Sequence, residues 1–295
     1  MKVLITGASG QVGSALLDGA PSHVELRAFT HSQLDISEAR AVEAAVAAFQ
    51  PALIINAAAY TAVDRAESEP ELAAAINARG PSHLAQAAQG IPGCRLMHIS
   101  TDYVFDGRAS EPYQPGDRTN PLSVYGRTKL LGETAVLEIL GERAVVLRTA
   151  WVYAAQGKNF LLTMLRLMRE CGAVRVVADQ CGTPTAAGSI ARALWALAQR
   201  PDIHGIVHWT DAGTASWYDF ALAIAEDGHA AGLLPNPVEV TAITTADYPT
   251  AAHRPANSAL DTRESVSQIG LEPPPWRQSL RATLGEIVCG RHVPP

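Results

Sequence analysis

The chain lacks a dense run of basic residues, any close pairing of cysteines and any hydrophobic run of membrane-spanning length. Its four cysteines include no CxxC pair, which argues against a disulfide framework and against a cysteine zinc site. A net charge of −6 argues against a nucleic-acid partner that is held by phosphate neutralisation. Without a membrane span or the core of a signal peptide, we expect a cytoplasmic protein with no membrane partner.

What the chain does have is apolar residues, at 47%, arranged in short runs that alternate with helical patterns. The runs show no polar alternation, which is typical of parallel strands that are covered on both faces. The pattern therefore predicts an α/β fold, a Rossmann-type doubly wound parallel sheet. The predicted strands are residues 3–6, 25–29, 53–56, 96–100 and 145–149, and the helices between them are residues 12–20, 38–49, 71–89 and 124–140, with Ser37 as a plausible N-cap.

The alternation of apolar runs and helical patterns becomes less regular after about residue 149, which predicts a second, smaller lobe that shapes a pocket. We assign residues 1–150 to a dinucleotide-binding domain, to which residues 178–205 return. Residues 151–177 and 206–295 form the substrate-binding lobe in this prediction. Helical patterns cover residues 159–170, 189–200 and 216–226, and the chain from Pro235 is rich in Pro, Thr and Ala, as loops are.

A glycine-rich loop separates the first predicted strand from the first predicted helix. Gly7, Gly10 and Gly13 have the spacing GxxGxxG. Glycines at these positions allow a tight turn and close approach of the backbone to a pyrophosphate, which the helix N-terminus then faces. Together with Gln11 and Val12 they predict a dinucleotide-binding loop.

The end of the second predicted strand bears on the choice of cofactor. NAD-preferring folds place a carboxylate near this position, and the segment Phe29-Thr30-His31-Ser32 has none. A 2′-phosphate therefore meets no like charge, which favours NADPH while leaving NADH possible; Arg27 or His31 could help to hold it. Asp35, followed by Ile36, can accept a hydrogen bond from an adenine amino group, or it can cap the helix that follows.

Tyr125 and Lys129 lie four residues apart on one predicted helix, so both side chains project from the same face. A nearby ammonium favours the ionised form of a tyrosine, and we expect Lys129 to lower the pKa of Tyr125 in this way. Thr101 lies at the carboxyl end of a predicted central strand, where open α/β sheets bind their ligands. Its hydroxyl can donate a hydrogen bond to a carbonyl oxygen, so the three residues form a candidate acid–base site.

Longer motifs make the chain similar to one family. The most specific are AAAYTAVDRAE at 57–67, STDYVFDG at 100–107 and TAWVY at 149–153, while the YxxxK pair at 125–129 is shared by a whole superfamily. With further motifs at 159–160, 179–185 and 248–255, the chain resembles the dTDP-4-dehydrorhamnose reductase family of extended short-chain dehydrogenases/reductases. The resemblance spans nearly the whole length.

The resemblance implies an NADPH-dependent reduction of the C4 keto group of a dTDP-sugar, dTDP-4-dehydro-β-L-rhamnose, by a monomer or homodimer. It implies that Thr101, Tyr125 and Lys129 are the catalytic residues and that Asn77 supports Lys129 through water. Alternatives are a core role for Trp151, a helix-bridging role for Asn77 and a surface role for Arg254. The implied cofactor contacts are Ala57, Ala58, Ala59, Tyr60 and Asn77, and the implied substrate contacts are Val63, Asp102, Tyr103, Trp151 and Arg254.

A metal site is not expected. Some relatives hold magnesium at a dimer contact through glutamates, and the corresponding positions here are Ala15, Gly188 and Glu286. Two of the three carboxylates are therefore missing, and hard cations need several oxygen ligands.

Three other activities use the same fold. A sugar-nucleotide dehydratase would have an Asp-Glu pair after the threonine, and here Asp102 is followed by Tyr103. An epimerase usually has an acid after the second strand, which this chain lacks. A non-catalytic NADP-binding subunit, like the regulatory subunit of a eukaryotic methionine adenosyltransferase, need not keep the Thr, Tyr and Lys set. The intact set favours an enzyme; the C4 epimer that it makes and the sugar pathway that it serves stay open.

Overall fold

The computed structural model describes residues 1–290. At its centre lies a sheet of six parallel strands, which confirms the predicted fold class: β1 (Lys2–Thr6), β2 (Glu25–Phe29), β3 (Leu53–Asn56), β4 (Arg95–Thr101), β5 (Ala144–Thr149) and β10 (Gly205–His208). Their order across the sheet is β2-β1-β3-β4-β5-β10. The chain leaves β1 toward one edge and resumes on its other side at β3. The crevice between β1 and β3 is therefore the switch point where such sheets bind ligands.

Helices cover both faces of this sheet, and alternate residues of each strand face opposite cores. Val3 and Ile5 of β1 pack against α1 (Gln11–Asp18) and α8 (Ala187–Ala198), whereas Leu4 packs on the other face. Both faces being buried explains why the strand sequences show no polar alternation. The helices on the second face are α2 (Ala39–Phe49), α5 (Gly80–Gln89) and α6 (Val124–Leu140).

The second lobe has a core of its own, built from three helices and a two-stranded parallel sheet. The helices are α7 (Phe160–Cys171), α9 (Trp217–Ala230) and α11 (Trp276–Val288), and the strands are β7 (Ala173–Val177) and β12 (Glu239–Ile243). The remaining short strands are β6 (Val152–Tyr153), β8 (Cys181–Gly182), β9 (Thr185–Ala186) and β11 (Ala215–Ser216), and single 3-10 turns lie at Asp102–Val104, Gly141–Arg143 and Thr245–Asp247.

The structure differs from the sequence predictions in two places in the second half. The lobe boundary at residue 206 cuts through β10, which pairs with β5, and α10 (Arg263–Ile269) packs against the same side of the central sheet. The segment after Pro235 also contains α11, which begins directly after Pro275 because proline favours the start of a helix and not its interior. Residues 291–295, which the sequence assigns to the second lobe, lie outside the described residues.

The helix predicted at residues 71–89 is interrupted. The structure has α4 (Pro70–Ala74), a π-turn at Ala75–Arg79 and then α5, after the short helix α3 (Val63–Ala66). The predicted N-cap at Ser37 is also wrong, since Ser37 donates its N–H and hydroxyl to Asp35 and α2 begins at Ala39. Within residues 1–290, no helix is both long and apolar enough to cross a membrane.

Candidate active site

The glycine loop closes against the end of β3, at the switch point of the sheet. Gly7 has a φ of +72°, and a Cβ there would lie 2.5 Å from the backbone nitrogen of Ala58. A Cβ on Gly13 would lie 2.1 Å from the carbonyl oxygen of Gly7. Gly10 is the N-cap of α1, and no side chain caps that helix. The cradle is therefore bare backbone and an uncapped helix N-terminus, which fits a pyrophosphate.

The other predicted cofactor residues in this region have contacts of their own. Gln11 accepts a hydrogen bond from Asn159 of the second lobe at 2.8 Å, and Val12 is buried in the core. Ile36 is buried beneath Gly80 of α5. Burial would raise the pKa of Asp35, but hydrogen bonds from Ser37 lower it overall. The carboxylate of Asp35 therefore stays charged, with one oxygen already taken by Ser37.

The end of β2 has no acidic side chain at Thr30, His31 or Ser32. Thr30 instead donates its N–H and hydroxyl to the side-chain oxygen of Gln33. Arg27 lies over the ring of Phe49, 4.7 Å from its centroid, so its guanidinium is engaged by an aromatic face.

The loop after β3 is braced by the π-turn. Asn77 accepts a hydrogen bond from the N–H of Tyr60 at 2.8 Å and donates to its carbonyl at 3.0 Å, and it also donates to Thr128 at 3.3 Å. Asn77 thus has the helix-bridging contacts that the sequence left as one of two alternatives, and its support of the lysine through water stays a prediction. The loop that Asn77 holds carries Ala57, Ala58 and Ala59, and the Tyr60 hydroxyl donates to Glu69.

Thr101 and Asp102 form a buried pair at the carboxyl end of β4. The Thr101 hydroxyl donates to the Asp102 carboxylate at 3.0 Å and accepts from the N–H of Tyr103 at 3.2 Å. Burial raises the pKa of Asp102 to about 7, although the hydroxyls of Ser258 and Thr101 partly oppose that shift. The carboxyl group can therefore gain or lose a proton near neutral pH.

Helix α6 brings Tyr125 to this pair. Ser123 caps the helix by accepting from the N–H of Gly126, and a Cβ on Gly126 would lie only 2.2 Å from the carbonyl of Tyr103. This close approach sets the rings of Tyr103 and Tyr125 edge to face, with centroids 5.9 Å apart. Desolvation raises the pKa of Tyr125 to about 12, with a partial opposing effect of the Thr101 hydroxyl. This net shift is opposite in direction to the lowering that the sequence analysis expects from Lys129, because desolvation is the larger effect.

Lys129 is 2% exposed, and its ammonium reaches β4 of the central sheet. Its ammonium donates to the carbonyl oxygen of Ile99 at 2.6 Å and lies 3.4 Å from Nε2 of His98. Burial lowers the pKa of Lys129 to about 8, against an opposing effect of Glu133. Near neutral pH, the lysine is therefore closer to losing its proton than an exposed lysine is.

A cleft of about 710 Å³ opens between the two lobes and reaches the ring of Tyr103. Its volume is in the range of sites that bind small molecules. Three of the predicted substrate residues line it, namely Val63, Tyr103 and Arg254, and so do Trp217 and the exposed cation Arg175 from the second lobe.

Trp151 lies behind the wall of this cleft. Its indole is stacked on that of Trp217, with centroids 3.5 Å apart and planes 4° apart, and it also contacts Gly182, where a Cβ would lie 2.6 Å from the indole. Its backbone has a φ of +46°, unusual for a bulky residue. Trp151 is thus partly buried between Trp217 and Gly182, and its contact with a sugar stays a prediction.

Arg254 is held by a carboxylate from the first lobe. It donates to the two oxygens of Asp64 at 3.1 and 2.7 Å, and Asp64 also accepts from the N–H of Ala252. Its charge is therefore already neutralised by Asp64, which weakens the expectation that it binds a diphosphate. The ion pair instead ties the loop at residues 252–254 to α3.

The sequence did not single out His98, Asp64 or Trp217, whose roles depend on contacts between distant segments. Asp64 lies inside a motif that was quoted for the resemblance, so a charge partner could have been sought for it. No comparable sequence signal marks His98 or Trp217. Among residues 1–290, no group of three or more His, Cys, Asp or Glu side chains could hold a metal ion, and the expected lack of a metal stays a prediction.

Comparison with known proteins gives consistent matches. The family model described as the RmlD substrate binding domain matches residues 1–289. The chain is 43% identical to a dTDP-4-dehydrorhamnose reductase of Aggregatibacter actinomycetemcomitans, over 95% of this chain and 97% of that protein. It is 41% identical to a probable dTDP-4,6-dihydroxy-2-methyloxan-3-one 4-ketoreductase of Streptomyces antibioticus, over 100% and 98% of the two chains.

Among solved structures, a dTDP-4-dehydrorhamnose reductase from Bacillus anthracis in complex with NADP superposes with a TM-score of 0.90 at 35% identity, covering 97% of this chain and 99% of that one. A UDP-glucose 4-epimerase from Thermus thermophilus in complex with NAD has a TM-score of 0.81 at 19% identity, covering 99% and 100%. At that identity the second likeness shows the fold alone.

Proposed function

The chain belongs to the RmlD substrate binding domain family, and from that membership we propose that it is an NADPH-dependent oxidoreductase that reduces the C4 keto group of dTDP-4-dehydro-β-L-rhamnose to dTDP-L-rhamnose. The observation that carries the proposal is the convergence of Thr101, Asp102 and Tyr125 where the cleft meets the end of β4. This is the place where a sugar carbonyl and a cofactor at the β1/β3 crevice can meet.

When it is bound, NADPH supplies the hydride that reduces the carbonyl carbon. The bare backbone of Gly7, Gly10 and Gly13 would hold its pyrophosphate. The relative from Bacillus anthracis that was solved with NADP supports this choice of cofactor, and so does the lack of an acid at the end of β2.

Tyr125 donates a proton to the O4 atom of the sugar. Its raised pKa of about 12 keeps the hydroxyl protonated at neutral pH, as a general acid must be. As the substrate oxygen gains negative charge, the proton moves from Tyr125 onto it, and Tyr125 then needs a new proton before the next turnover.

Thr101 orients the carbonyl, and the protonation state of Asp102 determines whether the Thr101 hydroxyl is free to do so. While Asp102 is ionised, the Thr101 hydroxyl donates to it. Once Asp102 is protonated, with a pKa of about 7, it can donate to Thr101 and free the threonine hydrogen for the substrate oxygen. The pair therefore acts as an adjustable hydrogen-bond donor beside Tyr125.

Replacing Tyr125 with phenylalanine tests this function. We expect Tyr125→Phe to lower kcat by about 100-fold or more, the usual scale for general acid catalysis, because the proton donor is lost. NADPH affinity, measured by fluorescence titration, should change little. Turnover like that of the parent protein would contradict the proposal.

A second candidate is the reduction of another nucleotide-linked 4-keto-6-deoxyhexose. The similarity to the Streptomyces antibioticus ketoreductase supports it, since that relative covers the full chain at nearly the same identity. Turnover with dTDP-4-dehydro-β-L-rhamnose, followed by NMR of the product, separates the two and also identifies the C4 epimer. A non-catalytic NADP-binding subunit would bind NADPH but would not oxidise it with either substrate.

A further inference from the structure

A chain of buried polar side chains crosses the central sheet and ends at Lys129. Thr6 of β1, Asn56 of β3 and His98 of β4 have no exposed surface. The Thr6 hydroxyl donates to Oδ1 of Asn56 at 2.7 Å, Nδ2 of Asn56 lies 3.0 Å from Nδ1 of His98, and Nε2 of His98 lies 3.4 Å from Nζ of Lys129. The reduction as derived above gives no role to Thr6, Asn56 or His98.

The orientation of the Asn56 amide is fixed by the backbone. The N–H of Ala58, which can only donate, lies 3.1 Å from Oδ1 of Asn56. Oδ1 is therefore the acceptor on that side, and the amide nitrogen must face His98. Because the amide nitrogen is only a donor, Nδ1 of His98 must be an acceptor without a proton.

The proton of a neutral His98 is consequently on Nε2, which points at Lys129. In a doubly protonated ring, the N–H at Nδ1 would face the amide nitrogen of Asn56, and the N–H at Nε2 would face the ammonium of Lys129. Both contacts would then bring two donors together. Burial and the charge of Lys129 hold the pKa of His98 well below its usual value, so the ring stays neutral.

An N–H that points at Nζ distinguishes the two protonation states of Lys129. It repels the ammonium, which has no lone pair, whereas the neutral amine can accept a hydrogen bond from it. Of the other ionisable groups near Lys129, Glu133 lies one turn along α6 with its carboxylate bound by Arg148 of β5, and Tyr125 lies one turn before it. Glu133 attracts the ammonium, so the donor on His98 acts against the one nearby acid.

We propose that His98 is a positioning residue, held by Asn56 in the tautomer with its proton on Nε2, which presents that N–H to Lys129 and favours the neutral amine. Lys129 then gives up its proton more readily than a lysine on a polar surface. The importance of this for turnover rests on the proposed function and on the catalytic role that the family resemblance implies for Lys129, but the arrangement itself is a property of the free protein and is tested there.

The experiment measures the ionisation of Lys129 directly. The chain has only three lysines, Lys2, Lys129 and Lys158, so a protein labelled with 13C at the lysine ε-carbon gives three signals. The Lys129 signal is assigned by its loss in Lys129→Arg, and its chemical shift is followed against pH. His98→Asn keeps an acceptor for Asn56 and removes the N–H at Nε2, and we expect it to move the Lys129 midpoint upward by about one pH unit.

Thr6→Val is the matched control. It removes one hydrogen bond of the same buried chain, but the N–H of Ala58 still orients Asn56, so the Lys129 midpoint should stay where it is in the parent protein. An unchanged midpoint in His98→Asn overturns the proposal, and so does an equal upward shift in the control, which would point to general loosening of the sheet.

A measurement on the parent protein keeps the proposal testable if His98→Asn does not fold. The 15N shifts of a histidine-labelled sample report which ring nitrogen of His98 is protonated. A proton on Nε2 supports the proposal, and a proton on Nδ1 overturns it. Neither readout uses turnover, so an inactive protein with the expected lysine and histidine signals would contradict only the proposed function.

Discussion

The reaction centre and the aromatic stack of the second lobe hold their side chains by different means. In the reaction centre, made of Thr101, Asp102, Tyr125 and Lys129, hydrogen bonds at the carboxyl end of β4 hold Thr101, Asp102 and Lys129. In the aromatic stack, made of Trp151, Trp217 and Phe160, the rings hold each other by packing, with Trp151 stacked on Trp217 and Phe160 tilted against Trp217. From this difference we expect the first region to govern the reaction rate through protons, and the second to govern stability and the shape of the cleft.

The largest effect is expected for Trp151→Ala, which tests how the aromatic stack is held together. Removing an indole that is packed against Trp217 and Gly182 leaves a void, which should cost about 3–5 kcal/mol of unfolding free energy. NADPH affinity should stay unchanged. Chemical denaturation and steady-state kinetics on the same sample measure both.

Trp217→Ala is the matched variant, because Trp217 also lines the cleft. It should raise KM for the sugar nucleotide by up to about tenfold, with a smaller loss of stability. If Trp151→Ala keeps its stability and instead raises KM, Trp151 belongs to the sugar site and the division between the two regions fails.

Thr101→Val tests the reaction centre. It keeps the shape of the side chain and removes the hydroxyl that we propose to orient the carbonyl, and the loss of one such donor typically lowers kcat by about 100-fold. Thermal melting should show little change beyond that of the hydrogen bond to Asp102. An unchanged kcat with a raised KM would mean that Thr101 only binds the substrate.

Asp102→Asn tests the same region through pH. The folded-state pKa of Asp102, about 7, lies above the reference value of 3.8, so between these values the unfolded chain releases a proton that the folded protein keeps. The stability contributed by this group therefore falls as pH rises from about 4 to about 7 and is constant above.

Asparagine does not titrate, so Asp102→Asn should gain stability relative to the parent across that window, on the order of 3 kcal/mol by pH 7. Urea denaturation of both proteins at pH 4.5 and 7.5 measures the difference. A constant difference between the two pH values would show that Asp102 is ionised throughout.

The smallest effect is expected at the rim of the cofactor cradle, where side chains are exposed and both means of support are weak. Thr30→Asp places a charge where a 2′-phosphate would lie, and it should shift the preference toward NADH by about tenfold, since an exposed charge contributes roughly 1 kcal/mol. Dissociation constants for both cofactors measure it. A parent protein that already prefers NADH would contradict the expectation that NADPH is favoured.

The sequence predicted the central sheet well because its strands are marked by unbroken apolar runs. The strand at Gly205–His208 escaped because it is short and lies at the edge, where two of its four residues are only partly buried. Helix α11 was not predicted because the three prolines before it are typical of a loop.

For the candidate site, the sequence could place Thr101, Tyr125 and Lys129 together, because strand ends and helix spacing are local properties. It could not give the direction in which Lys129 points, or the raised pKa of Tyr125, because both depend on burial among distant segments. The same is true of Arg254, whose partner Asp64 lies 190 residues away in the chain.

The π-turn at Ala75–Arg79 restricts the insertions and deletions that this chain can tolerate. A π-turn contains one residue more than the α-helix that it interrupts, so deleting a residue there would restore a regular helix. The deletion would leave the flanking helices close to their present register, but it would turn the side chain of Asn77, which lies inside the π-turn, and Asn77 would lose its two bonds to Tyr60. This segment therefore cannot accept the insertions and deletions that surface loops accept. Aligned sequences that keep the loop after β3 should show no gap across it.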